Sequence, residues 1–184
     1  TDLRRFRPDP IAPGDHYLVL ARLAPYKRID LAVEAFNQLG RRLIVVGDGR
    51  DRQRLEALAG PTVTFCGRLP QAEVDRLLYT CRALIWPGIE DFGLAPVEAM
   101  AAGRPVIARR AGGVLDTVLE GETGVFFDAA EPASLAQAVL RAEAIDWRTD
   151  RIRRHAQHFG LEPFAASLTA LLSEALARGR EGMS

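Results

Sequence analysis

Lysine is almost absent from this chain. Of its 24 basic residues only Lys27 is a lysine, which leaves 24 − 1 = 23 arginines. The two are not interchangeable, since lysine is a compact point charge and arginine a planar fork. Net charge is absent too: 24 basic residues face 24 acidic ones, so no global field points to nucleic acid. No apolar run approaches the roughly 20 residues that a membrane helix needs, and no secretory signal is read. Only two cysteines occur, Cys66 and Cys81, without metal-type spacing. Both sit where apolar residues belong and are expected to be reduced core residues of a cytoplasmic protein. The three histidines, His16, His155 and His158, are scattered. No Ser-His-Asp or Cys-His set and no metal site are suggested.

What is present is an alternation. Apolar runs at His16 to Ala21, Leu43 to Val46, Val63 to Cys66, Leu84 to Trp86, Pro105 to Ala108 and Gly124 to Phe127 read as strands. Between them, Arg28 to Leu39, Asp51 to Ala59, Pro70 to Cys81, Leu94 to Ala102, Gly112 to Leu119 and Glu131 to Ile145 read as helices. In the first helix Ile29, Ala32, Val33 and Phe36 fall on one face; in the third Val74, Leu77, Leu78 and Cys81 do. The pattern predicts an α/β fold, a doubly wound six-stranded parallel sheet. Two more helices are expected, Trp147 to Phe159 and Leu161 to Arg178, the second burying Leu161, Phe164, Leu168, Leu171, Leu172 and Ala175. Residues 1–15, with Pro8, Pro10 and Pro13, read as an extended linker or strap before a domain over 16–184. The run Arg148, Arg151, Arg153, Arg154 reads as a solvated helix face rather than a phosphate or lipid surface.

Ligands of such sheets sit beyond the carboxyl ends of the strands, at the point where strand order reverses. The chemically unusual residues gather there. Arg22 and Lys27 follow the first strand, Gly47 and Gly49 the second, Gly67 the third, Glu90 the fourth, and Gly112 and Gly113 the fifth. After Glu90 and Asp91, Gly93 opens a helix with Pro96 in its first turn, where a missing N–H does no harm. A helix N-terminus beside glycine favours an anion. Gly47-Asp48-Gly49 lacks the third glycine of a dinucleotide fingerprint, since Arg52 holds that place.

Glu90 and Glu98 have seven residues between them, within EDFGLAPVEAMAAGRPV. Phe92-Gly93-Leu94, Glu98-Ala99-Met100-Ala101, Gly103 and Pro105-Val106 make this segment resemble the E-x7-E signature of the retaining, nucleotide-sugar-dependent glycosyltransferases of family 4. Those enzymes have the GT-B fold, two Rossmann-like domains. The resemblance covers nearly the whole chain and implies that it is the second, donor-binding half. An acceptor domain would then lie outside it, consistent with a first residue, Thr1, that a fragment or processed chain would show.

Several roles follow from the resemblance. Arg22 and Lys27, an R-x4-K pair, would bind the diphosphate and stabilise charge on the leaving group. Glu90 would position the transferred sugar, and Glu98 would accept hydrogen bonds from the ribose hydroxyls. The amides of Phe92, Gly93 and Leu94 would face sugar and diphosphate. Gly47 and Gly49 would let the backbone pass close to the donor, and Gly67, Arg68 and Leu69 would line the base pocket. The residues alone also allow blander readings: solvated loop charges at Arg22 and Lys27, an acidic helix start at Glu90, an exposed helix position at Glu98, and a tight helix entry at Gly112-Gly113. Gly88, where the family often has serine, and Asp116, where it often has glutamate, are departures.

The implied partners are a nucleotide diphosphate-sugar, with GDP-mannose the first candidate, and a saccharide or lipid-linked acceptor. The family uses no cofactor or metal. A cytoplasmic location is expected, with peripheral contact at the inner face of the membrane open to the full protein. The wording A-P-Y-K-R-I-D and P-G-I-E-D-F-G-L is most similar to bacterial and archaeal mannosyltransferases of polysaccharide assembly. The rivals are a non-catalytic nucleotide-sugar binding module and a Rossmann oxidoreductase. The pair Glu90–Glu98 and the missing glycine weigh against the second.

Overall fold

A computed structural model describes residues 2–6 and 12–181. Its centre is one six-stranded parallel sheet: β1 (His16–Leu20), β2 (Arg42–Val46), β3 (Val63–Gly67), β4 (Leu84–Trp86), β5 (Val106–Arg109) and β6 (Gly124–Phe127). The order across the sheet is β3-β2-β1-β4-β5-β6. The chain builds outward from β1 to β3, crosses back, and builds outward again from β4 to β6. Strand order therefore reverses between β1 and β4, and in sheets of this kind ligands are received at the carboxyl ends of the strands at that point.

Helices cover both faces, as the alternation predicts. α1 (Ile29–Leu39), α2 (Arg52–Leu58) and α6 (Pro132–Glu143) pack with Tyr17, Val19, Val45, Ile85, Ile107 and Phe127. On the other face α3 (Gln71–Thr80), α4 (Leu94–Ala101) and α7 (Thr149–Ala156) pack with Leu18, Val46, Leu84, Trp86, Val106 and Phe126. Successive residues of β1 point to opposite sides, and both sides are dry, so its sequence is an unbroken apolar run. Leu3 and Phe6 join the second cluster. Residues 2–6 are thus anchored, with a 3₁₀ turn at Leu3–Arg5 rather than an extended path. Pro8 and Pro10 lie outside the described residues.

Four expectations need correction. Cys81 is buried, and burial pushes its thiol up to about 12. Cys66 is exposed. It lies on β3, an edge strand whose alternate residues face solvent. The helix after Gly113 is α5 (Val114–Thr117), a single turn, because Val118 is already extended. The stretch 147–159 is not one helix: α7 starts at Thr149 and gives way to a 3₁₀ turn at Gln157–Phe159. Finally, α8 (Leu161–Glu181) forms, yet Leu161, Phe164, Leu168, Leu171 and Leu172 are exposed. Helical periodicity reveals an apolar face but not what covers it. No helix among the described residues is long and apolar enough to cross a membrane.

Candidate functional site

The two central loops meet across the switch point. After β1 the chain makes a 3₁₀ turn at Pro25–Lys27, and Arg28 then takes a left-handed conformation (φ 51°) before α1 begins. Arg28 is the one non-glycine residue with positive φ among the described residues. Such a conformation costs about 1–3 kcal/mol and persists where the surroundings enforce it. Here the Arg28 guanidinium grips Asp30 of α1 at 3.2 Å. The turn drives Lys27 inward, where it is 9% exposed.

Lys27 is ion-paired with Glu90 from the loop after β4. Its ammonium also lies 5.1 Å from the centre of the Trp86 ring and 5.3 Å from that of Tyr26. Cation–π contacts of this kind favour a charge held away from water. The indole Nε1 of Trp86 is buried without a hydrogen-bond partner.

Glycines bring these loops together. A Cβ on Gly88 would stand 2.9 Å from both Cα and O of Lys27, so the β4 loop abuts the Lys27 backbone directly. In this chain the contact leaves no room for a side chain at position 88 unless the Lys27 loop shifts. A Cβ on Gly113 would collide with the Asp91 carbonyl, and the Gly113 N–H donates to the Glu90 carbonyl at 2.8 Å. The Gly112-Gly113 turn is therefore a brace under the acidic loop as well as a helix entry. Gly47 and Gly49 likewise pack on the backbone of Ala21 and Leu23. The Leu23 N–H donates to Asp48 O at 3.0 Å, which ties the β1 loop to the β2 loop.

At the carboxyl ends of β1 and β2, Arg22, Gly47, Asp48 and Arg68 line an open cavity of about 380 Å³ with Leu20, Ala21 and Val46. Arg22 and Arg68 thus share one hollow, which Lys27 does not line. Leu69 does not line it and packs on the core instead. The side chains of Phe92 and Leu94 turn elsewhere, toward Phe159, Leu161 and Phe164 around an apolar hollow. The Phe92 and Phe159 rings meet edge-on at 6.2 Å.

Glu98, one turn inside α4, is ion-paired with Arg5 at 2.9 Å, and Arg5 also reaches Asp75 of α3 at 3.4 Å. Sequence reasoning missed Arg5, Asp75 and Trp86, since nothing in their spacing marks them. Among the described residues no group of three or more His, Cys, Asp or Glu side chains could hold a metal ion. The β1 and β4 loops thus meet through Lys27 and Glu90, and Arg22 and Arg68 line a separate open hollow at the ends of β1 and β2.

Known proteins agree with this architecture. Residues 7–159 match the family described as glycosyl transferases group 1. The chain is 30% identical to the GDP-mannose-dependent alpha-(1-6)-phosphatidylinositol monomannoside mannosyltransferase of Mycolicibacterium smegmatis, over 98% of this chain and 55% of that protein. It is 31% identical to the D-inositol 3-phosphate glycosyltransferase of Acidothermus cellulolyticus, over 89% of this chain and 42% of that one. Sucrose-phosphate synthase from Thermosynechococcus elongatus superposes with a TM-score of 0.83 at 28% identity, over 97% of this chain and 51% of that structure. The chain thus spans about half the length of the relatives it matches. With the sheet order and the family match in agreement, the chain belongs to the group 1 glycosyl transferases, an enzyme family of GT-B architecture.

Proposed function

We propose that this chain is the donor-binding half of a retaining family 4 glycosyltransferase. It takes a hexose, mannose from GDP-mannose, for transfer to a saccharide or lipid-linked acceptor. Residues 1–15 are the strap that leads from an acceptor domain into the donor domain at residues 16–184. The observation that carries the reading is the Lys27–Glu90 pair across the switch point. It sets the one lysine of the chain and the first signature glutamate at the place where an α/β sheet receives ligands.

In this reading Arg22 and Lys27 take the charge that grows on the diphosphate as the sugar–oxygen bond breaks. Glu90 exchanges Lys27 for the hydroxyls of the transferred sugar, and Glu98 accepts from the ribose diol. Arg68 reaches toward the nucleoside. The name of the Mycolicibacterium smegmatis relative supports the choice of GDP-mannose. The intact protein works in the cytoplasm, with peripheral contact at the membrane where its acceptor is lipid-linked. This chain alone binds donor without turning over acceptor.

A thermal-shift titration with GDP, UDP, ADP, GDP-mannose and NAD tests the reading. A ligand that binds only the folded state adds about 2.7 kcal/mol at a hundredfold excess over its dissociation constant. Stabilisation by GDP and GDP-mannose alone is the expected result. A response to UDP alone would keep the class and discard mannose, and a response to NAD alone would sink the reading.

A further inference from the structure

We propose that Arg5 is a positioning residue for Glu98, so that the strap forms part of the nucleotide site. This rests on the reading of Glu98 as the ribose ligand.

Arg5 belongs to the short turn Leu3–Arg5, whose flanking side chains Leu3 and Phe6 are sunk in the core. The turn is therefore clamped to the domain at both ends, and Arg5 between them has a fixed origin. Its guanidinium lies 4.7 Å over the Phe6 ring, which holds the plane from one side. From there Nη2 reaches Glu98 Oε1 at 2.9 Å, while Nε stands 3.4 Å from Asp75 Oδ1. One planar fork thus spans carboxylates from two helices, α3 and α4. The Glu98 side chain is only 15% exposed. A largely sheltered carboxylate with several rotatable bonds is held in one orientation by a charged partner at hydrogen-bond distance.

A carboxylate has about four acceptor positions, so Arg5 and a ribose hydroxyl can be served together. Arg5 spends the rotamer entropy of Glu98 before the nucleotide arrives, which is what preorganisation means for affinity. Lysine would not do the same, because a point charge cannot bridge two carboxylates in a fixed plane. The strap and the ribose pocket then share one ion-pair network, and movement of the strap would be felt by the bound nucleoside.

The test is calorimetric titration of the chain with GDP and UDP and with their 2′,3′-dideoxy forms, for the parent, Arg5→Ala, Arg5→Lys and Glu98→Gln. The expected result is a loss of about tenfold in affinity for the better-binding ribonucleotide in Arg5→Ala, as for a lost hydrogen bond to a charged group. The dideoxy form should bind the parent and Arg5→Ala alike, with Arg5→Lys between the two. A variant that merely folds badly would weaken both forms equally, so an equal loss overturns the positioning role. Unchanged or tighter binding of the ribonucleotide overturns it too, the latter by making Arg5 a competitor of ribose. If Glu98→Gln keeps the parent's preference for the ribo over the dideoxy form, or neither nucleotide binds the parent, the reading of Glu98 falls and this inference with it.

Discussion

Lys27 and Glu90 are each other's partners, although 62 positions separate them in sequence (90 − 27 = 63, less one) and they belong to opposite halves of the sheet. Their side chains are 11% and 27% exposed, so the pair sits between two regimes. Exposed ion pairs give roughly 0.2–1 kcal/mol. Losing one member of a fully buried pair costs about 3–5 kcal/mol. In the proposed reading, a diphosphate has to take Lys27 from Glu90.

That competition has a direction. Glu90→Gln removes the competing charge, so nucleoside diphosphate affinity should rise, by about fivefold if the pair contributes about 1 kcal/mol. Titration calorimetry with GDP and UDP reads this directly. A drop in affinity would mean that Glu90 helps to hold the diphosphate rather than competing with it.

Lys27→Ala acts in the opposite sense. In the proposed reading it removes a charge-assisted bond to phosphate, and affinity for the diphosphate should fall by about ten- to a hundredfold, the range of roughly 1.5–3 kcal/mol for bonds to charged groups. The free nucleoside, which lacks phosphate, should bind parent and variant equally. Equal loss for both ligands would move Lys27 out of the diphosphate site.

Gly88→Ala puts a methyl group 2.9 Å from the Lys27 backbone. Overpacking of this kind costs about 1–3 kcal/mol. A chain of this size should lose roughly 2–4 °C in Tm for each kcal/mol. Diphosphate binding should weaken in step, because the atoms that must yield belong to the Lys27 loop. A variant with parental Tm and parental affinity would show that the loops are not in contact.

Alkaline pH should unfold the protein in a defined window. Burial, helped by the Glu143 carboxylate that accepts from its hydroxyl at 2.9 Å, raises Tyr17 from 10.0 to about 12. Burial raises Cys81 from 9.0 to about 12. Both are acids with raised folded values. Their stabilisation is fully present below the ordinary values and is lost as pH rises toward 12. Inside its window each group removes up to about 1.4 kcal/mol per pH unit. Thermal unfolding of the parent and Tyr17→Phe between pH 8 and pH 12 should give a shallower decline for the variant above pH 10. Identical slopes would count against Tyr17.

The same contrast separates the cysteines. Iodoacetamide at pH 8 should label exposed Cys66 in the folded protein and leave Cys81 untouched until denaturant is added, because only an accessible thiolate reacts. Mass spectrometry of the digested protein shows which residue carries the label. Early labelling of Cys81 would contradict its burial.

These residues also show what a sequence can and cannot reveal. Lys27 stands out by rarity, and Glu90 by the seven residues that separate it from Glu98; both signals are local, and the two residues meet where the β1 and β4 loops touch. The six strands were legible because a sheet covered on two faces demands apolar runs. The steric duty of Gly88 and Gly113 was hidden, since it depends on which distant loop lies against them. Arg5 was hidden for the same reason: one arginine among 23 carries no mark until Asp75 and Glu98 are seen beside it. Cys66 and the apolar stripe of α8 misled because pattern reports a side chain's preference, whereas exposure depends on the position of the strand in the sheet and on the neighbours of the helix.

The sheet order has a kinetic consequence. β1 and β4 lie side by side, but some sixty residues of chain run between them. Closing so long a loop must precede any reward from the contacts it brings. A partly folded species holding only β1 to β3 would possess Lys27 without Glu90, and one holding only β4 to β6 the reverse. Neither could form the pair. Nucleotide affinity in a refolding chain should therefore rise last, with the joining of the two halves, and serve as a clock for the slowest long-range step.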